Sequence, residues 1–370
     1  MISSAALLCL LAATPIPDGE LARFGELLAS ELSAGREPIS TRFDFDAFLE
    51  RTIPGVAVPL KERTRLREGF TSRFGKAWAT LAKECKYGSR ATYRRIVDLD
   101  GLSAVQLRFL WSKGGYDFME FSVARSPRGG LRIVDIFDLR DGSTWSAEER
   151  LRLLPLIERG ARDRLFSTAG TLLEHLTTVS QMKEAASGRP EEAVTLWKAL
   201  PAPVRDERLP LSIYLDALWA LDDKAPAYRS AILHFIERYP DDASQQLRAV
   251  EADLFDKDLS RYLKGIDVIE KRIGRDALFD LLRAHLKLAD GHDAEGRKLL
   301  ENAITMEPTL KEPWLTLIEL AADEKKWGEV LRLLTDAQKK AGLTLELEAD
   351  IDAAFVASKE GQTWLKSHPK

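Results

Sequence analysis

Four carboxylates fall in the alternating segments between residues 116 and 140: Asp117, Glu120, Asp135 and Asp138. An inward-facing acid with a raised pKa works as a general base, and Tyr116 or Tyr93 is placed to assist one. Strict alternation puts Tyr116, Phe118 and Glu120 on one face, and Ile133, Asp135 and Phe137 on one face. Tyr116, Glu120 and Asp135 are therefore the candidate pocket residues. The bland alternative is a solvated sheet face, or one buried acid satisfied by backbone. The five histidines, His175, His234, His285, His292 and His368, all lie outside these segments. His285 and His292 are seven apart with no carboxylate at ligand spacing, so no metal site is expected. Neither a glycine-rich phosphate loop nor a G-x-S-x-G elbow occurs. With two cysteines, Cys9 and Cys85, a zinc ribbon, a C-x-x-C redox pair and a disulfide framework are excluded, and Cys85 reads as a small apolar residue on a helix face. No catalytic residue, metal or cofactor is assigned.

The elements around these residues follow from period. Residues 18–34 read as a helix with Leu21, Phe24, Leu27, Leu28 and Leu32 on one face, stopped by Gly35 and Pro38. Phe43, Phe45 and Phe48 lead a short helix that ends at Pro54-Gly55. A long helix over Leu60 to about Lys86 buries Leu66, Phe70, Phe74, Trp78, Leu81 and Cys85 at spacings of three and four. Its Lys61, Arg63, Arg65 and Arg67 step by two and so spread around it as a solvated face. The period then changes to two: 92–99, 102–111, 116–125 and 131–140 are strand-like, with Asp100-Gly101, Gly114-Gly115 and Gly129-Gly130 as turns. Helices followed by a meander predict an α+β domain, with helices packed on one face of a curved antiparallel sheet.

Beyond Trp145 every long segment is helical in pattern. Ser146 with Glu148 and Glu149 opens a helix running to about Phe166, which connects the two halves. An internal period follows. Pro240, Gly274, Pro308 and Gly342 stand 34 residues apart. Eight residues before each lie Ile232, Ile266, Leu300 and Leu334; five before lie Phe235, Ile269, Ala303 and Ala337; twelve before lie Tyr228, Tyr262, Gly296 and Val330. Gly188, Ala193, Trp197 and Leu200 mark an earlier, slightly longer copy, and 345–366 reads as a capping helix.

Two resemblances can be placed on these residues. The order FDFDAFLERTI, long helix, YDFMEFSVAR and LRIVDIFDLRDG looks like the nuclear-transport-factor-like α+β cone, in the flavour of bacterial exported proteins that include phospholipid-shuttling carriers. The 34-residue period, best in Trp314, Leu317, Val330, Leu334 and Ala337, resembles tetratricopeptide repeats, with Ile318 departing from the small residue usual at its position. The tetratricopeptide resemblance implies an all-α solenoid in which each helix pair buries its apolar face on the next. It also implies a concave groove, near which Trp219, Phe255, Phe279, Arg283 and Glu319 fall as partner-binding candidates, with packing between repeats as the competing role. The Lys/Asn pattern that clamps a C-terminal carboxylate in some tetratricopeptide proteins is not visible. Exposed aromatics in acidic surroundings would suit an apolar or basic peptide.

At 370 residues the chain exceeds one ordinary core. Residues 18–165 carry 26 Lys/Arg against 22 Asp/Glu, and 166–370 carry 28 against 36. Neither half has the footprint of a nucleic-acid binder. The uncharged run Ala5–Ala13 suits the core of a secretory signal, although no Lys or Arg precedes it and no clean A-x-A site follows. No other segment reaches 18 uninterrupted apolar residues, so no transmembrane segment is expected. The expected organisation is a signal peptide over 1–17, a cone-like domain over 18–145, a connecting helix over 146–170 and helical repeats over 171–370. The function this implies is a non-enzymatic protein that binds another protein or peptide through its repeats, in an exported or periplasmic location or else in the cytoplasm. The alternatives are a small-molecule or lipid carrier using a pocket in the N-terminal domain, and an enzyme in that domain. A deep apolar cavity would favour carriage and a filled core scaffolding.

Overall fold

The computed structural model describes residues 15–56, 58–112, 115–126, 129–154, 170–186, 188–222, 225–251, 258–343 and 353–367. The expected signal run lies outside them. The chain divides into two compact units, Met1–Leu254 and Phe255–Lys370. Among the described residues no helix is long and apolar enough to cross a membrane.

The first unit opens with α1 (Asp18–Ser33), α2 (Ile39–Arg42), α3 (Phe45–Thr52) and α4 (Leu60–Lys86). Asp44 caps α3 by accepting from the Ala47 amide at 3.0 Å. A five-stranded antiparallel meander follows: β1 (Arg90–Leu99), β2 (Leu102–Leu110), β3 (Tyr116–Arg125), β4 (Leu131–Asp138) and the two-residue β5 (Ser143–Thr144). Asp100 and Gly101 both take positive φ, as a tight β1–β2 hairpin turn requires. The odd-numbered residues Val105, Leu107, Phe109, Met119, Phe121 and Val123 meet the helices in one core. Leu27, expected on the buried face of α1, is 46% exposed; it lies outside the arc held by Leu21, Phe24, Leu28 and Leu32. Cys85 is buried on α4, where burial and then Glu84 push its thiol up to about 11.

The other sheet face is buried too, which the polar alternation at Gln106 and Arg108 did not announce. Gln106 donates to Glu120 at 3.0 Å across the β2–β3 pair and accepts from Arg95 at 3.3 Å. Strict alternation fails in β4. The register slips between Ser122 and Val123, so that Ser122 faces Asp135 while Val123 faces Ile133. The extra residue is a β-bulge, and it turns Ile133 into the helix-covered core while Asp135 is opposed to Ser122.

A helix α5 (Trp145–Arg152) then leaves the sheet, capped by Thr144. The rest of the expected connecting helix, 155–169, lies outside the described residues. Trp145 stacks on Phe74 and Trp78 at centroid distances of 4.4 and 4.9 Å, whereas Leu151 belongs to a second, helical core. Arg150 donates to the Thr52 and Arg51 carbonyls at 2.7 and 2.9 Å, closing the C-terminal end of α3. The second core gathers α6 (Leu176–Ala186), α7 (Pro190–Ala199), α8 (Ala202–Arg205) and α9 (Arg208–Asp222). The helices α10 (Pro226–Arg238) and α11 (Ala243–Glu251) complete this unit.

The second unit is helical among its described residues: α12 (Leu259–Ile273), α13 (Ala277–Ala289), α14 (Asp293–Met306), α15 (Glu312–Asp323), α16 (Trp327–Ala341), α17 (Ala353–Ala357) and α18 (Lys359–Ser367). The 34-residue punctuation coincides with helix ends. Helices α10, α12, α14 and α16 stop just before Pro240, Gly274, Pro308 and Gly342, and both glycines take positive φ as helix terminators. Ile232, Phe235, Ile266, Ile269, Leu300, Ala303, Val330, Leu334 and Ala337 are all buried. The capping segment is two helices and not one: Ser358 breaks it, and its hydroxyl accepts from the Gly361 amide at 3.0 Å.

Candidate functional site

Within the first unit, the loop between β4 and β5 is held by two arginines far along the chain. Arg248 on α11 donates through Nε to the Arg140 carbonyl at 3.1 Å, and Arg208 on α9 donates through Nη2 to the Gly142 carbonyl at 3.1 Å. Arg208 is itself fixed by Asp242 at 2.7 Å, and Asp242 also accepts from the Ser244 amide at the start of α11. Gly142 has φ of +65°, and a Cβ there would lie 2.5 Å from Arg208 Nη2 and 2.6 Å from Ser244 Oγ. Only glycine fits, by conformation and by space.

This clamp closes one side of a cavity of about 490 Å³. Arg140 and Asp141 come from the loop, Arg152 from α5, Lys183 from α6, Asp216 and Trp219 from α9, Tyr228 from α10 and Arg248 from α11. Asp216 bridges two cations, with Arg248 Nη2 at 2.7 Å and Lys183 Nζ at 3.5 Å. Lys183 also reaches Glu148 at 3.2 Å, and Arg248 lies 3.7 Å from Asp141. Arg248 is only 6% exposed. Burial alone would lower its pKa, but Asp216, Tyr228 and Asp141 hold it above the usual guanidinium value. Lys183 is held up in the same way by Glu148, Asp216 and Asp141 against its burial. Both therefore stay charged. The acids respond in the opposite sense. Burial, then Glu148 and Asp216, push Asp141 up to about 6 against Lys183 and Arg248. Asp138 is raised well above the carboxylate range by burial and by Asp117 and Asp141. Arg140 and Arg152, each about a third exposed, pair with Asp117 at 3.5 Å and Glu149 at 3.1 Å. Above this ionic floor the Trp219 ring is 55% exposed.

The cavity can hold a polar or charged group against fixed ion pairs while an apolar group lies on Trp219. Among its described lining residues there is no serine, threonine, cysteine or histidine. Among the described residues no group of three His, Cys, Asp or Glu is placed to hold a metal ion.

Of the candidates read from sequence, Trp219 lines this cavity. Its surroundings are not acidic as expected: four cations and two acids are among the described lining residues. Tyr116, Glu120 and Asp135 are buried and line none of the described cavities. Asp135 is a staple, accepting from Ser146 Oγ at 2.5 Å, the Ser146 amide at 3.1 Å, Arg51 Nε at 3.2 Å and the Ile136 amide at 2.9 Å. Tyr93 packs its ring against the backbone of Gly25. The helix-covered sheet face is filled by Phe43, Phe48, Phe70, Phe74, Trp78 and Trp145. Phe255 lies outside the described residues. In the second unit Phe279 is fully buried, so it is packing and not a groove-facing ring. Arg283 is tied to Asp267 at 2.7 Å and Glu270 at 2.6 Å, clamping α13 to α12. Glu319 is exposed on α15, and burial holds the nearby His285 below the usual imidazole pKa against the charge of Glu319.

No protein-family model matches the chain, and neither a curated protein nor a solved structure matches it significantly. The site is read from its own chemistry. Its missed members, Arg140, Asp141, Lys183, Asp216 and Arg248, left one signal: Asp216 is the single charge in the otherwise apolar centre of α9.

Proposed function

We propose that the chain is a non-catalytic binding protein whose helical pairs take hold of a partner polypeptide, with Trp219 as the anchor. The observation that carries this is a half-exposed tryptophan at the edge of a concave site with an ionic floor. Aromatic anchors over such sites dominate binding energetics. In this reading the partner presents an apolar or aromatic side chain to the Trp219 ring beside a carboxylate that meets Arg152. The helical pairs are taken as degenerate tetratricopeptide repeats, a reading supported by buried positions and helix ends in 34-residue register. The N-terminal part is taken as a nuclear-transport-factor-like cone serving as scaffold, supported by its meander and filled core. Export belongs to the same reading through the Ala5–Ala13 run.

The experiment is selection of a displayed random-peptide library on the full chain and on Trp219→Ala in parallel. Peptides that bind the parent and are lost on the variant are the expected result. Enrichment of nothing, or of peptides that bind both proteins equally, would reject the Trp219 site. A second reading, carriage of a small anionic molecule, draws on the cavity volume, which lies in the range of small-ligand sites. Native mass spectrometry of protein from its own host distinguishes it by a co-purifying mass.

A further inference from the structure

The longest helix carries a feature that this binding site does not use. Lys61, Arg65, Glu68, Ser72, Lys76, Ala79, Lys83 and Lys86 of α4 are all exposed. At 3.6 residues per turn they fall within an arc of about 80°, opposite the face of Phe70, Phe74, Trp78, Leu81 and Cys85. The run from Lys61 to Arg67 alone hides this, because the stripe is built from lysines in later turns. Five of its eight side chains are cations and one is an acid. Lys61, Lys76, Lys83 and Lys86 form no ion pair among the described residues, while Arg65 lies 3.8 Å from Glu62, and Arg67 and Arg73 are paired with Asp46 and Glu149. Just past the C-terminal end of the helix, Tyr87 is 66% exposed and borders this stripe.

We infer that α4 is a docking surface for an anionic lipid bilayer. A helix of 27 residues is about 40 Å long, and a plane of headgroup charge meets such a straight stripe along its whole length. A nucleic-acid duplex curves away from it. Four of the five cations are lysines, whose flexible stems suit diffuse headgroup charge, whereas Arg67 and Arg73, of the kind that reads phosphates and base edges bidentately, are engaged elsewhere. Ser72 and Ala79 are short enough to let the helix lie close. Tyr87, just past the C-terminal end and beside the stripe, supplies the aromatic contact that interfacial helices place at the headgroup level.

The test is sedimentation of the full chain with vesicles of equal parts phosphatidylglycerol and phosphatidylcholine, and with phosphatidylcholine alone. Binding to the anionic vesicles only, weakening as salt rises, is expected. At roughly fivefold per lysine, the variant K61Q/K76Q/K83Q/K86Q should lose a hundredfold or more. These four side chains hold no ion pair among the described residues, so the variant should keep the parent circular dichroism. Tyr87→Ser should weaken binding severalfold and leave its salt dependence unchanged. Trp219→Ala should bind vesicles like the parent, which separates this surface from the peptide site. No association at low salt, equal association of the quadruple variant, association with phosphatidylcholine alone, or binding to a duplex oligonucleotide without binding to vesicles would each overturn the inference.

Discussion

Asp135 and Asp141 stand six residues apart and have opposite roles. Asp135 is completely buried with four donors around it, and its carboxylate is fixed as structure. Asp141 faces Glu148 and Asp216 as well as Lys183 and Arg248, and titrates near 6. Its folded pKa is raised above the unfolded carboxylate value. The stability it contributes is therefore fully present below about pH 4 and is lost as pH rises through about 6. Asp141→Asn should flatten the urea midpoint between those values and leave the variant more stable than the parent above pH 6. Denaturation curves at a series of pH values measure this, and an unchanged slope would remove Asp141 from the titration. The difference between these two acids was hidden in the sequence. Asp135 lies in the last alternating stretch and Asp141 just past its end, and what separates them is partners 42 or more residues from Asp141 along the chain, Lys183, Asp216 and Arg248.

At the scale of elements much more was legible. The change from a period of three and four to a period of two located β1 to β4 nearly to the residue, because each strand has one face in the helix-covered core. Gly274 and Gly342 marked helix ends because a left-handed terminator favours glycine. The bulge in β4 was not legible, since one unpaired residue leaves no mark on composition. Nor was the burial of Phe279, because which face of a first helix looks into a groove depends on how neighbouring pairs pack. The repeat positions predict behaviour directly. Leu300 is fully buried in α14, and Leu300→Ala should cost about 2–5 kcal/mol. Hydrogen exchange should then accelerate in α13 to α16 and stay at parent rates in β1 to β4. Equal acceleration in the strands would show that the two units unfold together.

For the molecule as a whole, the first unit joins two cores that sequence alone divides near residue 165. The ties are Trp145 and Leu151 on opposite cores, and the carbonyls of Arg140 and Gly142 held by Arg248 and Arg208. Gly142→Val forces a β-branched residue into positive φ against Arg208 and Ser244, at a cost of at least about 1–3 kcal/mol. Faster exchange is expected both in β4 and in α9 to α11, with loss of the cavity lined by Asp216 and Arg248. A change confined to the loop would show that the sheet and the helices hold independently. Cys85 extends this to time. Its thiol is sealed in the sheet-side core and pushed up to about 11, so in the closed state a thiol reagent meets neither an accessible sulfur nor a thiolate. Each alkylation at that position therefore records one excursion of α4 away from the sheet. The chain carries its own clock for opening, read by locating the label on Cys85 by mass spectrometry, and Gly142→Val should make it run faster only if the two cores breathe as one.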